Sequence, residues 1–142
     1  MPESLRTFLD ANILFSASLK ETSRFLQFWT RRDLIPMLSM YVIDETLRNC
    51  IGAAHKSRLA RLVDQSHLVS DIPGAFLPHG IVLPQKDAPV LVAAVYAGAD
   101  YLITGDRHHF RQWMNRPIRT HLGVIVIQEP AQFLNEHLDP LP

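Results

Sequence analysis

An α/β fold built on a parallel sheet is the expectation for this chain, and three observations carry it. Short apolar runs of β-forming residues recur at 7–9, 34–39, 67–70, 101–104 and 124–128. Segments with helical period separate them. Acidic residues fall just past strand ends or near helix starts, at Asp10, Glu45, Asp87 and Asp106. Strands alternating with helices imply parallel βαβ units joined by right-handed crossovers. In such sheets ligands bind beyond the carboxyl ends of the strands, where the strand order reverses.

Length and composition agree with that class. A chain of 142 residues, 47% hydrophobic, fits one domain with a sizeable core and is too apolar for disorder. Its longest apolar runs fall far short of the roughly 20 residues that span a bilayer. The opening MPESLRTF carries no apolar stretch of the kind that precedes a signal cleavage site. Cys50 is the single cysteine, which leaves no internal disulfide and no thiolate metal cluster and points to a reducing cytoplasm. Fourteen basic and fourteen acidic residues give a net charge of zero, so bulk electrostatics alone would not hold nucleic acid. Eleven of the fourteen cations are Arg, the residue suited to bidentate phosphate contacts.

Taken in order, the first strand runs straight into Asp10 and Asn12 and then a helix over 11–19. Asp10 suits a helix N-cap as well as a functional carboxylate. Residues 21–32 read as a second helix whose Phe25, Leu26, Phe28 and Trp29 form an apolar core stripe. The second strand, 34–39, contains Pro36. A helix over 40–54 places Ile43, Leu47, Cys50, Ile51 and Ala54 inward, and a basic helix covers 56–65. After the third strand, 67–70, the stretch 71–85 carries Pro73, Gly74, Pro78, Gly80 and Pro84, a long connection with one extended piece at 81–83. The helix over 87–99 has Asp87 for its N-cap, Pro89 in its first turn and Gly98 near its end. The fourth strand, 101–104, leads into Gly105-Asp106 and a basic segment through Met114. The fifth strand, 124–128, precedes a final helix over 130–138 and a short tail, 139–142.

The placement of the acids is the informative feature. If the first and fourth strands are neighbours, Asp10 and Asp106 lie side by side at one sheet edge, and Glu45 and Asp87 lean in from helices. Four carboxylates in a low-dielectric cleft repel one another unless a cation sits among them. Oxygen ligands suit Mg²⁺ or Mn²⁺ rather than zinc. Each acid also has a bland role. Asp87 and Asp106 are good helix caps, worth about 1 kcal/mol apiece. Glu45 suits an exposed helix face, with Asp44 beside it as the alternative carboxylate. His108 and His109 read as a solvated or phosphate-contacting turn beside Arg107 and Arg111. The remaining histidines show no metal-ligand spacing.

Four segments together resemble a PIN domain: Leu9-Asp10-Ala11-Asn12-Ile13-Leu14, Asp44-Glu45-Thr46-Leu47, Lys86-Asp87-Ala88-Pro89-Val90-Leu91, and Gly98-Ala99-Asp100-Tyr101-Leu102-Ile103-Thr104-Gly105-Asp106. The likeness is to the bacterial, VapC-like toxin components of toxin–antitoxin systems, and it runs from about Leu5 to the final helix. It implies a single three-layer PIN-like nuclease domain over 1–138, with a five-stranded parallel sheet of order 3-2-1-4-5 flanked by helices. It also implies a cytoplasmic Mg²⁺- or Mn²⁺-dependent ribonuclease, with an RNA substrate, a cognate antitoxin and a homodimer as expected partners. The family's catalytic acids map onto Asp10, Glu45, Asp87 and Asp106. Of these, Asp10 would bind the metal directly, Asp106 and Asp87 would complete its contacts directly or through water, and Glu45 would orient or deprotonate the attacking water. Asn12 and Thr104 would support the carboxylates, with Arg107 and Arg111 as RNA contacts.

Other acid-bearing folds fit less well. A receiver domain needs an Asp on strand three and a Lys on strand five, and neither stands there. A phosphatase of the Asp-x-Asp type needs a second acid where Asn12 stands. The stronger rival is a PIN-like module that binds RNA or protein without cutting, although no acid of the pattern is missing.

Overall fold

The computed structural model describes residues 4–137. Its central strand is β1, Leu5–Leu9, where Thr7, Phe8 and Leu9 are fully buried, as a strand covered on both faces requires. The strands that follow are β2 (Leu34–Ser39), β3 (His67–Val69), β4 (Tyr101–Ile103), β5 (Ile118–Thr120) and β6 (Gly123–Gln128). They form one sheet of order β3-β2-β1-β4-β6-β5, parallel except where β5 returns antiparallel along β6. The five expected strands therefore lie in the expected order, and the sheet gains one strand at its edge. That strand is only Ile-Arg-Thr, too short to show a period. A tight turn makes it a hairpin, with Leu122 N–H donating to Thr120 Oγ1 and Gly123 at φ +129°.

The helices are α1 (Ala11–Leu19), α2 (Gln27–Thr30), α3 (Met40–Asn49), α4 (Gly52–Asp64), α5 (Ala88–Tyr96), α6 (Arg107–Phe110) and α7 (Pro130–Glu136). None of these is long and apolar enough to cross a membrane. They flank the sheet over a core that includes Phe8, Leu14, Phe28, Met37, Leu91, Leu102 and Phe133. The aromatic stripe of residues 21–32 does pack on this core, but as a 3₁₀ turn, Arg24–Leu26, followed by the single turn of α2. Ser23 caps that turn by accepting from Phe25 N–H, so regular structure starts there and not at Glu21.

The helix expected over 40–54 is broken. Cys50 is extended, and Gly52 at φ +76° begins α4. Leu47 is 45% exposed, because α3 buries Val42, Ile43 and Thr46 instead; past the break Ile51 is 68% exposed and Ala54 is exposed as well, and His55 is buried. Residues 81–83 form no strand, although Ile81 and Leu83 pack against the core. The tail 139–142 and the last residue of the expected final helix lie outside the described residues.

Because β1 sits between β2 and β4, the connections leave its carboxyl end in opposite directions, which opens a crevice there. Pairing of Leu9 with Ile103 brings Asp10 level with Thr104, and Asp10 N–H donates to Ile103 O at 3.0 Å.

Candidate active site

Asp10 follows directly from β1 and caps α1. Its Oδ1 accepts Ala11 N–H at 2.7 Å. Its Oδ2 accepts the Thr104 hydroxyl at 2.8 Å and the Asn12 amide at 3.4 Å. Asn12 in turn accepts Gly105 N–H at 2.8 Å, and a Cβ at Gly105 would stand 3.3 Å from the Asn12 oxygen. Glycine at 105 thus lets the two chain segments meet closely. Thr104 Oγ1 also accepts Asp106 N–H at 3.1 Å. The ends of β1 and β4 are tied into one rigid platform.

Asp10, Asn12, Glu45, Asp87 and Asp106 all line one cleft of about 500 Å³, together with Asn49 and Lys86. Thr104 lies buried beneath, bonded to Asp10. Glu45 faces this cleft from α3, whereas Asp44 is exposed and does not line it. The two neighbours differ by about 100° of helical phase, which decides the matter. Arg107 and Arg111 sit on a separate shallow groove with His108 and Asn115, and Arg107 Nε is ion-paired with Glu129 at 2.8 Å.

The carboxylates are not equivalent. Burial raises the Asp10 carboxyl from 3.8 to about 6; the Thr104 and Ala11 hydrogen bonds oppose this, and the charges of Glu45 and Asp87 add to it. Burial likewise raises Asp87, partly offset by His109. Burial alone would raise Asp106 too, but the hydrogen bonds and charge of His109 hold it below the usual carboxylate range. Mutual repulsion is therefore a lesser cause than desolvation, although both act in the same direction at Asp10.

Two features were not legible in the motif. Asp87 stands at the N-cap position of α5, yet its side chain makes no cap bond. Its Oδ2 is buried and has no hydrogen-bond partner. The second feature is His109, whose Nδ1 lies 2.7 Å from Asp106 Oδ2 and 3.0 Å from Asp87 Oδ2. Its position three residues after Asp106, on one helical turn, was the available signal. Among the described residues, Asp87, Asp106 and His109 form the compact set of possible metal ligands, with donor atoms within 4.8 Å of one another. Asp10 and Glu45 line the same cleft but stand outside that set. A buried acceptor oxygen that makes no hydrogen bond, clustered with a second acid and a His nitrogen, fits a bound cation.

A PIN domain family profile matches residues 6–108, a span that includes Asp10, Glu45, Asp87 and Asp106 and stops short of His109. Among solved structures, the fold is similar to a chain from the crystal structure of VapBC2 from Rickettsia felis bound to a DNA fragment from their promoter. The TM-score is 0.59 at 12% identity, over 88% of this chain and 98% of that one, a likeness of fold. No curated protein matches the chain.

Proposed function

This chain belongs to the PIN domain family, and from that premise we propose that it is a divalent-metal-dependent endoribonuclease, the toxin of a type II toxin–antitoxin pair. The observation that carries the reading is Asp87. A carboxylate placed to cap a helix, worth about 1 kcal/mol, instead keeps a buried oxygen that makes no hydrogen bond and lies 3.0 Å from His109 Nδ1. A bound cation would account for that arrangement better than helix capping does.

Asp87 and Asp106 would hold Mg²⁺ or Mn²⁺, with Asp10 reaching it directly or through water. A divalent ion there supplies charge neutralisation and polarisation of the scissile phosphodiester. The chain's own residues do the rest. Thr104 and Asn12 fix the Asp10 carboxylate so that its free lone pairs face the cleft. Glu45, on the rim, takes the proton of the water that attacks phosphorus, and the P–O bond to the departing ribose oxygen breaks. Lys86 on the same rim meets a phosphate, while Arg107 and Arg111 contact the RNA further along. The VapBC2 likeness supports a cognate antitoxin as partner; the homodimer rests on the sequence resemblance alone, and the cytoplasmic location on the single cysteine, Cys50.

The test is cleavage of single-stranded RNA by purified protein. Cutting is expected with Mg²⁺ or Mn²⁺, none after EDTA, and none from Asp10→Asn under either condition. Activity that survives full chelation would refute the metal mechanism. RNA binding without cutting at any divalent concentration would favour the non-catalytic module.

A further inference from the structure

His109 touches two carboxylates that line the cleft, and the proposed hydrolysis leaves it unused. One turn of α6 folds its ring back over Asp106, whose Oδ1 accepts His109 N–H at 3.1 Å. Nδ1 then lies between two carboxylates, at 2.7 and 3.0 Å. A ring nitrogen carries at most one proton. With that proton on Asp106 Oδ2, the Asp87 oxygen touches the nitrogen without receiving a hydrogen bond. Asp87 is only 8% exposed, so water does not readily make good the loss. Ligands at about 2.1 Å on neighbouring corners of an octahedron stand about 3 Å apart. The two spacings at Nδ1 suit donors sharing one ion as well as they suit an ion pair.

We propose that His109 is a nitrogen ligand of the cation in this cleft, alongside Asp87 and Asp106, and that it makes the site select first-row transition ions over Mg²⁺. The proposal rests on the reading of the cleft as a metal centre and concerns which ion it takes. Mg²⁺ is a hard ion that keeps oxygen ligands and water, whereas an imidazole nitrogen favours ions further along the transition series. Asp, Asp and His therefore make a mixed site where three acids would make an oxygen one.

The test is titration calorimetry of the metal-free protein with Mg²⁺, Mn²⁺ and Ni²⁺. In His109→Asn, Ni²⁺ affinity should fall about tenfold or more and Mg²⁺ affinity by less than about threefold. His109→Asp should lose Ni²⁺ similarly and gain Mg²⁺. His108→Asn, at the exposed neighbour, should change neither. In NMR spectra, the His109 ring signals, identified by their loss in His109→Asn, should be the first imidazole signals perturbed by substoichiometric Ni²⁺. Parallel losses for Ni²⁺ and Mg²⁺, or His109 signals untouched by Ni²⁺, would overturn the proposal while leaving a metal-dependent nuclease standing. Absence of binding by all three ions would overturn both.

Discussion

Two buried polar sites lie at opposite ends of α1, and they are built on opposite rules. At its C-terminal end, His55 is 1% exposed and both of its ring nitrogens have partners. Its Nδ1 accepts Ile51 N–H at 2.9 Å and its Nε2 bonds Ser18 Oγ at 2.9 Å. Ser18 Oγ also lies 2.7 Å from Leu14 O, and Arg58 closes the helix by donating to the carbonyls of Ser18 and Leu19. At the N-terminal end, Asp10 is 5% exposed and faces a cleft of further acids, with one buried Asp87 oxygen that receives no hydrogen bond. Burial of a polar side chain therefore does not mark function in this molecule. What separates the two sites is satisfaction: the first is a closed staple between α1 and α4, the second an acceptor surplus awaiting a donor or a cation.

The comparison predicts opposite stability responses. His55→Ala removes a fully used ring, leaving Ile51 N–H unmatched and Ser18 Oγ short of one partner beside a cavity. The expected loss is about 4 kcal/mol in urea unfolding, with RNA cleavage by the folded fraction unchanged. A loss under about 1 kcal/mol would break the contrast.

The next effect is pH-dependent. Asp10 ionises near 3.9 when unfolded and at about 6 when folded, so the folded state holds its proton more tightly. That stabilisation is fully present below about pH 4 and is lost as pH rises through 6. Metal-free protein should therefore lose on the order of 2 to 3 kcal/mol from Asp10 across this window. Asp87, also raised, acts in the same sense. Asp106, lowered, acts in the opposite one, losing its contribution as pH falls through its folded value. Asp10→Asn should flatten most of the decline. A divalent ion at a hundredfold excess over its Kd should return about 2.7 kcal/mol at neutral pH. A parent protein whose unfolding free energy rises between pH 4 and 7 without metal would contradict this account of Asp10.

The fold and the outline of the cleft were readable because they depend on period and order. Short apolar runs bounded by turn residues and alternating with helical periods read as strands of a parallel sheet, and the placing of Asp10 and Asp106 beyond the first and fourth follows from topology. Four things were not readable. The break at Cys50 depends on His55 bonding Ile51 N–H, a contact between residues four apart that competes with helical period. The strand Ile118–Thr120 is defined by its partner β6 and not by its own pattern. The unused cap at Asp87 and the return of His109 over Asp106 are matters of side-chain direction, which spacing constrains only to a helical face.

The smallest effect is the sharpest, because it divides the cleft against itself. Asp87 and Asp106 both touch His109 Nδ1, at 3.0 and 2.7 Å, yet only Asp106 receives hydrogen bonds from that residue. Asn in place of Asp87 removes a charge that burial already disfavours and breaks no cap bond. Asn in place of Asp106 still caps α6 but gives up the charge-assisted contact with the ring. At pH 7.5 in EDTA, Asp87→Asn should therefore gain, and Asp106→Asn lose, about 1 kcal/mol or less in urea unfolding. With a saturating divalent ion both variants should fall below the parent, since each has lost a ligand while the parent gains the binding energy. Equal signs for the two variants in EDTA would mean that the cleft is balanced throughout, as the His55 site is, and that the free Asp87 oxygen has no bearing on a cation.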